Sequence, residues 1–180
     1  MMMNQLAPAF PAGSLADVAD YSPGLKDRLI EEVAAAPNHL RRTLEGLDEA
    51  ELDTQYKNWT ARQIVHHLAD SHVHVYIRFK WTLTEETPLI KAYDEADWVL
   101  LEDCQSGPIE PSLALLDGLH CKWTQVLRSM SEQQFGRAFD HPQSGERVTL
   151  WTALNYYPWH ARHHTAQIEW LRKRRDASST

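Results

Sequence analysis

The sequence is short of cysteine, of long apolar runs and of positive charge, and each shortage removes a class of protein. Cys104 and Cys121 are the two cysteines among 180 residues. They form no CxxC pattern and no charged-then-apolar leader precedes the body of the chain, so neither a disulfide framework nor export is expected and the protein reads as reduced and cytoplasmic. No apolar stretch approaches the roughly 18 residues of a membrane span. The formal net charge is −7 and the pI about 5.8. Its one basic cluster, Arg172 to Arg175, follows a helical pattern and complements that helix's C-terminal dipole. Neither nucleic acid nor a membrane is therefore expected as a partner. The chain also lacks GxSxG, a P-loop and a glycine-rich dinucleotide turn.

What is present reads as one helical domain. Hydrophobic residues make up 43% of the chain, enough for a full core at this length. Residues 1–21 have prolines and small residues but no period, and read as an N-terminal arm lying on the surface or on a partner subunit. Ser22 as N-cap and Pro23 at the first helical position open a helix with apolar residues at Leu25, Leu29, Ile30, Val33, Leu40, Leu44 and Leu47. Pro37 should kink it or divide it into two. A polar connection to Trp59, with one turn near residues 48–53, leads to a second helix. There Thr60 and Gln63 match a capping box, and Ile64, Leu68, Val75 and Phe79 follow, to about Leu83.

Residues 84–110 read as a long crossing loop with one short helix at Glu95 to Leu101. Pro111 and Ser112 open a third helix, which runs to about Ser131. The stretch that follows, FGRAFDHPQSGERVTL, is read as irregular rather than as a hairpin. Thr149 caps the last helix, with Leu150, Leu154, Tyr157, Ala161, Ile168 and Leu171 on its apolar face and Pro158 inside it. The expected fold is all-α, a four-helix bundle over residues 22–175, with a disordered tail at 176–180.

The last helix also carries the chemistry. His160 and His164 are four residues apart, so both imidazoles project from one helical face at the spacing of metal ligands. With ten histidines in the chain, chance alone supplies about half of one such pair, so a third ligand must come from elsewhere. His67 lies on the inward stripe of the second helix, two turns in, and is the natural candidate. His66, His72, His74 and His163 fall at other phases and read as surface or outlying residues. Three protein ligands leave a position open on a four- to six-coordinate ion, as in catalytic sites, where a water or a thiol could be activated. Imidazole suits several divalent ions, and zinc is expected on abundance.

Four motifs carry a resemblance over nearly the whole chain after the arm. They are WTARQIVHHLADSH from Trp59 to His72, YIRFKWTLTEETP from Tyr76 to Pro88, SLALL from Ser112 to Leu116 and WHARHH from Trp159 to His164. Together they resemble the DinB-like metal-dependent hydrolases, in their YfiT-type branch. The resemblance implies a four-helix bundle that binds one zinc or nickel-like ion per subunit through three histidines, usually as a homodimer. By position the ligands are the second histidine of HHLADS, His67, and the first and last of WHARHH, His160 and His164. The departures are Pro158 and the connection Tyr56-Lys57-Asn58, where glycine-containing versions are familiar. The same fold family includes enzymes that transfer low-molecular-weight thiols such as bacillithiol or mycothiol onto electrophiles.

Three functions follow as expectations. The first is a hydrolase that activates water on a small-molecule substrate; the second is a thiol S-transferase. The third is a non-catalytic metal-binding stress-response dimer. No catalytic side chain is assigned from sequence: Glu85 and Glu86 are candidates for a general base from the crossing loop, and Asp70 and Ser71 are read as solvated or capping. The tryptophans, among them Trp81, Trp123 and Trp170, and both cysteines are read as buried packing residues.

Overall fold

The computed structural model describes residues 7–178. In chain order its elements are α1 (Pro23–Leu44), α2 (Glu49–Leu52), β1 (Gln55–Tyr56), β2 (Trp59–Thr60), α3 (Ala61–Thr84), α4 (Glu95–Trp98), α5 (Glu102–Ser106), α6 (Glu110–Ser129), α7 (Glu132–Phe135), β3 (Ala138–Asp140), β4 (Arg147–Thr149) and α8 (Leu150–Ser178). The fold is the expected four-helix bundle, in which α1 and α3 each pack against both α6 and α8. Among the described residues no helix is long and apolar enough to cross a membrane.

Helix starts follow from local chemistry. Ser22 Oγ accepts from the Leu25 amide, Thr60 and Gln63 form a reciprocal capping box, and Thr149 Oγ1 accepts from the Thr152 amide at 3.0 Å. These caps fix where α1, α3 and α8 begin, and with that which of their side chains face the core. Pro37 does not divide α1, and Pro158 lies inside a continuous α8. Asp176 to Ser178 continue α8 where a tail was expected from 176, and residues 179–180 lie outside the described residues.

The arm lies on the chain's own surface from residue 7 onward, and the first six residues fall outside the description. Three aromatic donors tie it down: Trp151 Nε1–H to the Ala19 carbonyl at 2.8 Å, Trp159 Nε1–H to that of Gly13 at 3.0 Å, and the Tyr56 hydroxyl to that of Pro8.

Several sequence expectations are corrected. Residues 138–149 are not irregular but form the hairpin β3–β4, with Phe139 paired to Val148 and Asp140 to Arg147. Burial of Phe139 and the Arg147–Asp140 ion pair at 2.8 Å supply what the weak strand pattern lacked. A second hairpin, β1–β2, turns at Lys57, which sits in the left-handed region with φ 53°. The crossing loop contains α5 as well as α4. Trp81 and Cys121 are exposed rather than buried.

The core is split. One apolar cluster contains Val33, Val75, Trp123 and Leu154; the other contains Leu40, Leu68, Leu116 and Ile168. Between them every long helix contributes a residue that interrupts the apolar pattern: Pro37 on α1, His72 on α3, His120 on α6, and His160 and His164 on α8. All five of these residues are buried. A polar layer this deep is stable only if each ring nitrogen finds a partner.

Candidate metal centre

His67, His160 and His164 converge at this layer. Their capping-set helix phases bring α3 and α8 together so that one ligand atom from each ring lies within 4.8 Å of the others. The Nε2 atoms of His67 and His160 are 3.2 Å apart. Two imidazoles on one tetrahedral ion, at about 2.0–2.1 Å from it, would hold their nitrogens roughly 3.3 Å apart, so the donor set fits such an ion. Burial pushes His67 down to about 4, His164 to about 3 and His160 well below its ordinary value, which keeps all three rings neutral at neutral pH.

Neighbours orient the rings. His164 Nδ1 donates to Gln167 Oε1 at 2.8 Å, which leaves its Nε2 as the lone-pair nitrogen. Gln167 Nε2 in turn donates to His163 Nε2 at 3.0 Å. Trp59, delivered by the β1–β2 hairpin, packs on His67 with ring centroids 4.6 Å apart and lies nearly parallel to His164. His160 Nδ1 is buried without a hydrogen-bond partner among the described residues.

The three histidines line a cavity of about 460 Å³ walled by Trp59, Tyr93, Tyr156 and Trp159, with Arg78 and Glu95 also on its wall. Burial pushes the Tyr156 hydroxyl up to about 12 and the Tyr93 hydroxyl higher still. Arg78 makes no ion pair among the described residues, and its Nε is buried and unpartnered.

Other expectations meet the structure unevenly. Glu85 and Glu86 are exposed at the far end of α3, about 27 Å along the axis from His67, and neither lines the cavity. Ser71 does line it. Asp70 does not, and burial together with the charge of Asp103 raises its carboxyl to about 6. His163 lines the cavity, and His74 stacks on Tyr93 with centroids 4.1 Å apart. The buried contact between His72 and His120 is not among the sequence expectations. Their signal was present: His72 follows Leu68 by four and precedes Phe79 by seven, and His120 follows Leu116 by four and precedes Leu127 by seven. Histidine at such positions on an apolar stripe marks a buried polar contact.

Comparison with known proteins decides the family, since the DinB superfamily pattern matches residues 32–168. The chain belongs to the DinB superfamily. One DinB relative, the Bacillus subtilis protein named "Putative metal-dependent hydrolase YfiT", is 45% identical over 168 residues, covering 92% of this chain and 94% of that protein. A Bacillus mycoides relative with the same designation is 42% identical over 167 residues, 92% and 95% of the two chains. The solved structure of YfiT, described as having "an unusual four-helix bundle topology", superimposes with a TM-score of 0.90 at 44% identity, over 93% of this chain and 97% of that one. A mycothiol-dependent maleylpyruvate isomerase shares the fold alone, with a TM-score of 0.59 at 18% identity over 77% and 60% of the chains.

Proposed function

We propose that this DinB protein is a metal-dependent hydrolase of a small-molecule substrate, with one divalent ion held by Nε2 of His67, His160 and His164. The observation that carries this reading is the convergence of three buried, neutral imidazoles on an open cavity. When bound, the ion supplies Lewis-acid chemistry that brings the pKa of a water proton, or of a thiol, into the neutral range. Zinc is the proposed ion, and nickel suits the same ligands.

The remaining chemistry belongs to the chain. Glu95 is the one carboxylate on the cavity wall among the described residues and is the proposed proton acceptor. Arg78, with no carboxylate partner among the described residues, favours substrates that carry an anionic group. The aromatic walls narrow access of bulk water to the reacting end. Assembly as a homodimer is part of the same proposal, and light scattering above the 20.8 kDa monomer mass would detect it.

The test is a panel of esters, amides and lactones, with and without carboxylate or phosphate groups, assayed with zinc-loaded and chelated protein. Metal-dependent hydrolysis favouring anionic members is expected. Conjugation of bacillithiol to an electrophile with no hydrolysis across the panel would replace this reading by the thiol S-transferase one. No metal-dependent turnover of either kind would leave a metal-binding dimer.

A further inference from the structure

The buried layer holds two histidines that are not among the proposed ligands, and their hydrogen bonds have a fixed direction. His120 Nδ1 lies 2.6 Å from the Val33 carbonyl oxygen. A carbonyl can only accept, so His120 carries its proton on Nδ1. This carbonyl is open to it because the residue four positions on is Pro37, which has no amide hydrogen to return the helical bond. A neutral His120 then has Nε2 as an acceptor. His72 Nδ1 sits 2.7 Å from that nitrogen and must donate to it. What remains on His72 is a lone pair at Nε2, buried and without a partner among the described residues.

The complementary group lies opposite. The His160 ring is 5.7 Å from that of His72, centroid to centroid, tilted by 37°. Its Nε2 faces His67, and its Nδ1, like Trp123 Nε1 and His163 Nδ1, is buried and unpartnered among the described residues. A histidine that offers Nε2 to an ion carries its proton on Nδ1 and needs an acceptor there.

We propose that His120 and His72 form a tautomer relay that orients His160. Its direction is His160 Nδ1–H to His72 Nε2, His72 Nδ1–H to His120 Nε2, and His120 Nδ1–H to the Val33 carbonyl that Pro37 leaves free. Neither nitrogen has a direct partner among the described residues, so the first link runs through one bridging water. Within the relay His72 and His120 each give one hydrogen bond and receive one, and His160 gives one and keeps its Nε2 lone pair for the ion. The opposite polarity is impossible, because the relay ends on a carbonyl. His72 and His120 are positioning residues, each acting through the next. The proposal rests on the three-histidine reading of the site for its consequence, and on the hydrogen-bond directions alone for the relay itself.

The test combines ¹⁵N NMR of the histidine rings in metal-free protein with zinc affinity by chelator competition, on wild type, His72→Leu and His72→Gln. In the wild type His72, His120 and His160 should all be protonated on Nδ1, with a coupling across the His72–His120 bond. His72→Leu should give His160 a mixture of tautomers and weaken zinc binding by about 10- to 100-fold, the usual cost of losing such a partner. His72→Gln keeps one donor and one acceptor, and should restore the single His160 tautomer and most of the affinity. Protonation of His72 or His120 on Nε2, or a single unchanged His160 tautomer in a folded His72→Leu protein, overturns the relay. If the wild type takes up no zinc, the metal reading fails, while the tautomers still decide the relay.

Discussion

The Nε2 atoms of His67 and His160 lie 3.2 Å apart although 93 residues separate them in sequence, and both rings are buried. Neutral imidazoles that close are held without charge repulsion, and protonating either would place a cation against its neighbour. The metal-free protein should therefore be sensitive to mild acid. Unfolded histidines titrate near about 6.5; in the folded chain burial lowers His67 to about 4 and His164 to about 3, and also lowers His72, His120 and His160. Between these values the unfolded chain binds more protons, so their stabilisation is full above pH 6.5 and is lost as pH falls toward 3–4. Asp70, raised to about 6, acts in the opposite sense, losing stability as pH rises from its unfolded value near 3.8 to 6, but it is one group against several lowered histidines. Urea midpoints in the presence of chelator should fall between pH 7.5 and 5, by on the order of a few kcal/mol in stability. Equal midpoints would contradict the burial argument.

Glu95→Gln separates proton transfer from metal binding. The side chain lines the cavity but is not among the clustered ligands. Turnover on the best substrate should drop by about 10²-fold or more, with zinc content unchanged. An unchanged kcat would remove Glu95 from the mechanism.

The hairpin that carries Trp59 holds a mild strain. Lys57 adopts φ 53°, a conformation that costs a residue with a Cβ about 1 kcal/mol. Glycine relieves this strain but gains entropy in the unfolded chain, so Lys57→Gly should raise stability by up to about 1 kcal/mol. A lower melting temperature for this variant would show that the Lys57 side chain makes a contribution the backbone argument omits.

The bundle and the convergence of His67, His160 and His164 were legible because short-range signals fix them. The Thr60–Gln63 capping box sets the phase of α3, and an i,i+4 pair needs only a helix. The rest depends on long-range contacts. Tyr93 and Glu95 reach the cavity from a crossing segment with no period, and the β3–β4 hairpin is held by Phe139 in the core rather than by strand propensity. The His72–His120 bond joins residues 48 apart and leans on a carbonyl released by Pro37, which a search for kinks reads only as a break.

The central claim is tested most directly by elemental analysis of untagged protein, repeated on His67→Ala, His160→Ala and His164→Ala, each confirmed to be folded. The wild type should carry close to one equivalent of a divalent ion per chain, and each substitution should remove most of it, because the two remaining imidazoles hold the ion far more weakly than three. Retention of a full equivalent by all three variants would contradict the site proposed here.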